Sequence, residues 1–298
     1  MPNTTCMHIP SNKVADISRY VHSELADKYP QGELDMFVLF LFEAFLGWNQ
    51  VQYMLHRGDT INQSDLLKFH WAVEDLKRFR PIQHICGYTD FCGLRIQVSP
   101  DVLIPRPETE EMVLHVRRLI ADSTLRALSL RVLDLCSGSG CIALSLKSFF
   151  ADAVVCGVDI SPKAVEMAQH NARRLELEVQ FNQGDVLADI PSLPVSEFDL
   201  IVSNPPYVMD SEREVMQSNV LDYEPHLALF VPDRDPLLFY RAIADYAAAH
   251  LSRKGFLVLE INEQLASEML AMLRLKGFEG ECYRDFRNKD RYIIAQLS

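Results

Sequence analysis

The amino-acid sequence predicts an α/β protein in which a doubly wound, mostly parallel seven-stranded sheet follows a small N-terminal helical domain and a β-hairpin linker. From residue 131 onward, short apolar runs alternate with helical patterns, which is typical of a parallel sheet covered by helices. Between residues 13 and 80 the apolar side chains instead recur at helical spacing. A chain of 298 residues is long enough to bury one large core and a smaller second one.

Residues 1–83 are predicted to form the helical domain. Its helices are expected from Lys13 to a stop at residues 29–32, over residues 34–46, over residues 51–55, and from the N-cap Ser64 onward. The region contains no cluster of catalytic side chains. Its aromatic and leucine stripes are therefore interpreted as core.

Residues 84–103 are predicted to form the linker, with strands at residues 85–88 and 94–98 around a turn at Thr89-Asp90. A helix is expected to begin at Pro107, because proline suits the first helical position. Glu108, Glu110 and Glu111 would then lie in its first turn, where acidic side chains complement the helix dipole.

The remaining residues, 104–298, are predicted to form the sheet domain. Its strands are expected at residues 131–135, 154–158, 178–182, 198–203, 256–261, 280–286 and 291–297. Helices are expected at residues 140–149, 162–175, 236–251 and 264–275. Ser161-Pro162 is a predicted helix start, and Gly255 and Gly277 are predicted helix stops.

One predicted strand, residues 198–203, runs directly into Asn204-Pro205-Pro206-Tyr207. The prolines stop the strand at its carboxyl end, where open α/β sheets place their ligands. The Asn204 side-chain oxygen and the Pro205 carbonyl are two acceptors, and Tyr207 offers a flat ring. This combination suits a planar nitrogen group, whose two N–H bonds would be held while its lone pair faces an electrophile. An ordinary Pro-Pro turn is the less specific interpretation.

A second motif, Cys136-Ser137-Gly138-Ser139-Gly140, follows another predicted strand and opens a helix. Its glycines allow the backbone to approach a ligand closely. Asp159 ends the next strand about 20 residues further on, the placement of an acid that binds ribose hydroxyls. Asp185, followed by Val186, is placed to accept from an adenine amino group. These residues are the predicted cofactor site, together with Asn204.

These motifs resemble those of the S-adenosylmethionine-dependent methyltransferases, and more narrowly the bacterial-type release-factor glutamine N5-methyltransferases. The matching segments are residues 80–87, 102–110, 132–144, 203–208 and 224–229. The resemblance implies S-adenosylmethionine as cofactor and an antiparallel pair closing the sheet. It also implies a substrate, the glutamine of the Gly-Gly-Gln motif in peptide chain release factors, which the helical domain helps to recognise.

The resemblance implies that Asn204, Pro205, Pro206 and Tyr207 are both the catalytic and the substrate-binding residues. No histidine or cysteine is expected to act as base or nucleophile. Arg106 is a further substrate-site candidate with two open interpretations. It forms either a surface ion pair or a brace for the segment over cofactor or substrate.

Composition limits the partners. The net charge of −12 argues against broad contact with a nucleic-acid backbone, so no direct nucleic-acid partner is expected. The apolar stretch from Phe37 to Trp48 is too short to span a bilayer, and no signal peptide is apparent, so no membrane association is expected. Cys86 and Cys92 near His84 lack further ligands at zinc spacing, so no metal is expected. Scattered, reduced cysteines fit a cytoplasmic protein.

Two other functions remain open at this point. An adenine or RNA exocyclic-amine methyltransferase would use the same tetrad, but it would be expected to carry a basic surface. A non-catalytic partner that binds S-adenosylmethionine or a release factor would be expected to have lost either the glycine loop or the tetrad. Both motifs are intact.

Overall fold

The computed structural model describes residues 11–123 and 129–298. The chain divides into two compact units. The helical unit runs to Gly87 and also includes Ser218–Tyr223, and the sheet unit consists of Tyr88–Gln217 and Glu224–Ser298.

The helical unit is built from amphipathic helices around an apolar core that includes Ile17, Leu41 and Phe69. Its helices are α1 (Val14–Leu25), α2 (Gln31–Leu46), α3 (Gln50–Leu55), α4 (Gln63–Leu76), α5 (Ile82–Cys86) and α9 (Ser218–Leu221). The expected N-cap Ser64 is wrong, because the Asn62 side chain accepts the Asp65 N–H at 2.8 Å and starts α4 earlier.

The hairpin that opens the sheet unit consists of β1 (Tyr88–Phe91) and β2 (Leu94–Gln97), paired antiparallel. The expected strand at residues 85–88 is wrong, since α5 occupies residues 82–86 and ends at Gly87. The turn is Cys92-Gly93 rather than Thr89-Asp90. Both turn residues have positive φ (52° and 78°), which fits the right-handed twist of a tight hairpin.

The central sheet has seven strands in the order β10-β11-β9-β6-β3-β4-β5, and it confirms the predicted fold class. The strands from β9 to β5 are parallel, whereas β11 is antiparallel to both of its neighbours. The strands are β3 (Arg131–Leu135), β4 (Val154–Asp159), β5 (Gln180–Gln183), β6 (Phe198–Ser203), β9 (Leu251–Glu260), β10 (Phe278–Arg284) and β11 (Asp290–Leu297).

Helices cover both faces of this sheet and create two cores. One core joins α6 (Pro107–Asp122), α7 (Cys141–Phe149) and α8 (Pro162–Leu175) to the sheet. The other joins α10 (Leu238–His250) and α11 (Ala266–Leu275) to the opposite face. Gly255 is not a helix stop, because β9 already begins at Leu251. A Cβ at Gly255 would lie 3.0 Å from the Asp199 carbonyl oxygen, so close packing explains this glycine.

Strand order determines where a ligand can bind. From β3 the chain continues to β4 and β5 on one side, and then returns to β6 on the other side of β3. A crevice opens at such a reversal, outside the carboxyl ends of the strands. A small parallel pair missed by the sequence analysis, β7 (Val208–Met209) with β8 (Phe230–Val231), follows β6.

Candidate active site

A cavity of about 190 Å³ lies at this crevice in the sheet unit. The predicted site residues in its lining are Cys136, Gly138, Asp159, Asp185, Val186, Asn204 and Pro206. The structure therefore brings the glycine loop, the acids of neighbouring strands and part of the proline tetrad to one enclosed space.

The glycine loop has the backbone that its sequence implies. Gly138 has φ 53° with open space where a side chain would lie, and it contributes to the cavity lining. Gly140 has φ 80° and caps α7, and a Cβ there would lie 2.7 Å from the Phe181 ring. Cys136 also has a positive φ (61°), which is uncommon for a residue with a side chain.

Three members of this motif lie outside the cavity lining. Ser137 is buried, and its backbone N–H donates to the Val158 carbonyl at 3.1 Å. The Ser139 carbonyl accepts from the Asn171 side chain at 3.0 Å. Together with the cap at Gly140, these bonds hold the loop between β3 and α7.

Asp159 is the central acid of the cavity. Its two carboxylate oxygens accept the Gly138 N–H at 2.8 Å and the Ser161 N–H at 2.9 Å. Burial raises the pKa of Asp159, and these two hydrogen bonds oppose the rise. Each oxygen keeps a further lone pair, so the carboxylate can also accept from hydroxyl groups of a ligand.

The rest of the cavity fits a nucleoside. Asp185 accepts the Leu187 N–H at 2.8 Å through one oxygen, which leaves the other to accept from a ligand. Val158, Ile160 and Leu187 add apolar surface of the kind that covers a flat base. Carboxylates for hydroxyl and amino groups, beside apolar walls, match the adenosine part of S-adenosylmethionine.

Asn204 belongs to a chain of hydrogen bonds that leads from the cavity lining to the buried Glu260. Its Nδ2 donates to Thr109 Oγ1 at 3.3 Å, and the Thr109 hydroxyl donates to Glu260 Oε2 at 2.6 Å. The Tyr207 hydroxyl donates to Glu260 Oε1 at 3.0 Å. Burial raises the pKa of Glu260, while the bonds from Thr109 and Tyr207 oppose that rise. Within residues 11–123 and 129–298 no donor reaches Asn204 Oδ1, so this oxygen is left to accept.

The other members of the tetrad differ in placement. Pro205 and Pro206 are buried, and of the two only Pro206 lines the cavity. The Pro205 carbonyl accepts no hydrogen bond from the described part of the chain. Tyr207 is half-buried outside the lining, and burial raises its pKa, which keeps its hydroxyl a donor to Glu260.

Arg106 also lies outside the lining, where it forms an ion pair of 2.5 Å with Glu224. Glu224 is buried and also accepts the Ile104 N–H at 2.9 Å. Residues on both sides of this pair, Leu103 and Pro225, line the cavity. The pair therefore joins two segments of its wall, which favours the bracing interpretation over an exposed surface pair.

Thr109, Glu224 and Glu260 were not among the predicted site residues. A usable signal existed for Glu260, because it ends a buried strand in the same way as Asp159. Thr109 was harder to recognise, since a threonine in a first helical turn has ordinary structural uses.

Two further observations concern the described residues only. Across residues 11–123 and 129–298, no group of three or more histidine, cysteine or acidic side chains could hold a metal ion. The helices of these segments are all too short or too polar to cross a membrane.

Comparison with known proteins defines the class and then the family. One similar solved structure is the catalytic domain of hMettl16 in complex with the MAT2A 3′UTR hairpin 6. It superposes on this chain with a TM-score of 0.52 at 15% sequence identity, and the match covers 79% of this chain and 82% of that one. The family described as Methyltransferase small domain matches residues 117–227, and that described as PrmC N-terminal domain matches residues 16–87. The sheet unit thus has a methyltransferase fold.

Curated relatives identify the family. The release factor glutamine methyltransferase of Flavobacterium psychrophilum is 40% identical over 90% of this chain and 94% of its own length. The protein of the same name from Bacteroides thetaiotaomicron is 36% identical over 94% of this chain and 98% of its own length. This chain belongs to the release factor glutamine methyltransferase family, which confirms the resemblance seen in its motifs.

Proposed function

We propose that this protein transfers a methyl group from S-adenosylmethionine to the side-chain amide nitrogen of the glutamine in the Gly-Gly-Gln motif of peptide chain release factors. The observation that carries this proposal is a shared cavity. Asn204 and Pro206 of the tetrad line the same space as Gly138, Asp159 and Asp185. A site suited to an amide therefore adjoins a site suited to a nucleoside.

In this proposal, different residues around the cavity bind different parts of the cofactor. Asp159 would accept from the ribose hydroxyls, Asp185 would accept from the adenine amino group, and Val186 would pack against the base. The Gly138 backbone allows close approach, because no side chain projects from it. When bound, S-adenosylmethionine supplies an electrophilic methyl group on a positively charged sulfur.

The tetrad holds the acceptor glutamine. Asn204 Oδ1 and the Pro205 carbonyl, both without a donor among the described residues, accept the two amide N–H bonds. Pro206 forms the adjoining wall, and the Tyr207 ring, held at its hydroxyl by Glu260, supports the plane of the amide. The nitrogen lone pair is then directed at the methyl group, so the chief contribution to rate is positioning.

The proposed transfer needs neither a nucleophilic side chain nor a strong base. Burial raises the pKa of the Cys136 thiol in the lining, so it stays protonated. In the proposed transfer, the amide nitrogen would bond to the methyl carbon as the sulfur–carbon bond breaks, and the sulfur would keep the bonding electrons and leave as a neutral thioether. The amide nitrogen then releases one proton to solvent.

The helical unit is proposed to help bind the release factor. Val51, Met54 and Leu55 of α3 expose 64%, 65% and 75% of their surface, and Trp71 of α4 exposes 60%. Large exposed apolar side chains of this kind are typical of protein-binding surfaces. The proposal includes a cytoplasmic location, because release factors act in translation, and a protein rather than nucleic-acid substrate.

The test is a methyl-transfer assay with labelled S-adenosylmethionine. Release factor, release factor whose Gly-Gly-Gln glutamine is changed to glutamate, DNA and RNA are offered separately. We expect label on the unmodified release factor only, with mass spectrometry locating one methyl group on that glutamine. Label on DNA or RNA would instead support an amine methyltransferase. Cofactor binding without transfer to any substrate would support a non-catalytic partner.

A further inference from the structure

Two buried side chains outside the cavity lining connect to Asn204 through hydrogen bonds. Thr109 lies in the first turn of α6, and Glu260 is the last residue of β9. They expose 2% and 1% of their surface. Their shared contact, the 2.6 Å bond from the Thr109 hydroxyl to Glu260 Oε2, joins a helix to a strand far apart in sequence.

The direction of these bonds follows from the chemistry of the groups. An ionised carboxylate only accepts hydrogen bonds, and a hydroxyl has a single hydrogen to give. The Thr109 hydrogen is therefore committed to Glu260, and its oxygen can only accept from Asn204. Of the two polar groups of the Asn204 side chain, only the NH₂ group can donate a hydrogen bond to the Thr109 oxygen.

A reversed Asn204 amide would place Oδ1 against the lone pairs of Thr109. The two acceptors would face each other without a hydrogen between them, which is unfavourable in a buried site. The observed orientation leaves Oδ1 without a donor among the described residues, although Asn204 lines the cavity. At 3.3 Å the Asn204–Thr109 bond is long, so its role is to select an orientation more than to add stability.

Glu260 receives a second hydroxyl on its other carboxylate oxygen. Tyr207 donates to Oε1 at 3.0 Å, while Asn262, two residues beyond Glu260, donates its Nδ2 to the Tyr207 carbonyl at 3.2 Å. Both ends of the tetrad, Asn204 and Tyr207, are thus fastened to the carboxyl end of β9.

We propose that Thr109 and Glu260 are positioning residues that fix the Asn204 amide with Oδ1 available to accept an N–H bond of the substrate glutamine. This inference rests on the proposed function of Asn204. Neither residue lines the cavity. Thr109 acts through Asn204, and Glu260 acts through Thr109 and also holds Tyr207. It follows that their removal lowers turnover while cofactor binding is retained.

The test variant is Thr109→Val, which keeps the branched shape and removes the hydroxyl. We expect kcat on release factor to fall about tenfold or more, because Asn204 loses its preferred orientation. The KM for release factor and the Kd for S-adenosylmethionine, measured by calorimetry, should stay within about twofold of wild type. Thr109→Ser restores the hydroxyl and should bring kcat back to within about threefold.

Thr89→Val is the matched control, because it makes the same chemical change in the half-buried strand β1. It should leave kcat unchanged. If Thr109→Val does not fold, Thr109→Ala removes the same hydroxyl without adding a methyl group and is measured in the same way.

A double-mutant cycle separates positioning from a general structural role. In an Asn204→Ala background, Thr109→Val should cause no further loss of kcat, because the residue on which Thr109 acts is already gone. An equal loss in both backgrounds would overturn the inference, as would wild-type kcat in Thr109→Val. If the wild-type protein does not methylate release factor, the proposed function itself fails, and this inference fails with it.

Discussion

The two units of the molecule bury different kinds of side chain. Within the described residues, the buried polar side chains of the helical unit are Ser18 and His84. The sheet unit buries several acids, namely Asp134, Asp199, Glu224, Glu260 and Asp285. Burying an acid is costly unless it is well paired. Glu260 is linked through Thr109 to Asn204 in the cavity lining. Asp199 instead pairs with Arg131 at the amino end of β3, so the buried acids serve different parts of the sheet unit.

The exposed apolar residues of the two units are also distributed differently. In the helical unit, Val51, Met54 and Leu55 occupy one short helix. In the sheet unit, the exposed residues Ile160, Leu187 and Leu227 line the cavity, whereas Val215 and Leu275 stand apart in sequence. Contiguous apolar surface is typical of a binding site, whereas isolated exposed residues are ordinary. This contrast supports the proposed division, with the chemistry in the sheet unit and recognition of the release factor in the helical unit. The following predictions test that proposal.

The largest effect is expected from Asn204→Ala, which removes an acceptor proposed to orient the glutamine amide. Turnover on release factor should fall by about 10²-fold or more, with the fold retained. Steady-state kinetics and circular dichroism measure the two quantities. Wild-type turnover in this variant would refute the mechanism and remove the chief reason for placing the chemistry in the sheet unit.

Asp159→Ala should weaken S-adenosylmethionine binding by roughly 1.5–3 kcal/mol, because charge-assisted hydrogen bonds to the ribose are lost. Its effect on the fold should be limited to the loop, where Gly138 and Ser161 lose their acceptor. Titration calorimetry gives the affinity. An unchanged Kd would mean that the ribose is bound elsewhere.

Sequence reasoning could predict the placements that depend on local pattern. Asp159 ends one buried strand and Asn204 follows another, and carboxyl ends of parallel strands share one edge of the sheet. Both residues line the cavity, whereas their roles in binding and transfer stay predictions. The bond between Thr109 and Glu260 was beyond such reasoning. It depends on how α6 packs against the end of β9, which no spacing in the sequence encodes.

The errors in the predicted fold have physical causes that the structure identifies. The strand expected at residues 85–88 gave way to a helix that begins after Pro81 and is ended by Gly87 in the left-handed conformation. Gly255 suggested a helix stop, although tertiary packing against Asp199 explains its presence. The role of Gly87 is local, because it ends α5 with a bond to the Gln83 carbonyl. The role of Gly255 depends on Asp199, which is distant in the sequence.

A moderate effect is expected from a change on the helical unit. Leu55→Ser together with Trp71→Ser should raise the KM for release factor about fivefold, because a combined loss of about 1 kcal/mol of binding energy from the two exposed side chains corresponds to that factor. The Kd for S-adenosylmethionine should not change. A double variant at Val215 and Leu275, the isolated residues of the sheet unit, serves as control. If both double variants raise KM equally, recognition is not concentrated in the helical unit.

The smallest effect is a pH-dependent change in stability at Glu260. Burial raises its pKa above the ordinary value, with Glu108 adding to the rise and Thr109, Tyr207 and Arg291 opposing it. A raised pKa means that the folded state holds the proton more tightly than the unfolded state. Stability from this group is therefore fully present below about pH 4.3, the unfolded value, and is lost as pH rises through the folded pKa.

Glu260→Gln cannot ionise, so it should lose none of this stability as the pH rises. Its Tm relative to wild type should increase from pH 4 toward neutral pH, by the equivalent of about 1.4 kcal/mol for each unit of pKa elevation.

Asp199→Asn is the control of opposite sign. Burial alone would raise the pKa of Asp199, but hydrogen bonds from Arg131 and Ser252 hold the pKa below its ordinary value. The ionised Asp199 therefore stabilises the fold at neutral pH, and this contribution is lost as the pH falls. Asp199→Asn should thus lose most stability at neutral pH and least in acid. Thermal unfolding across this pH range tests both signs, and parallel curves for Glu260→Gln and wild type would show that Glu260 titrates normally. A variant that gains stability at neutral pH while losing turnover would show that the sheet unit retains a costly buried acid for its chemistry.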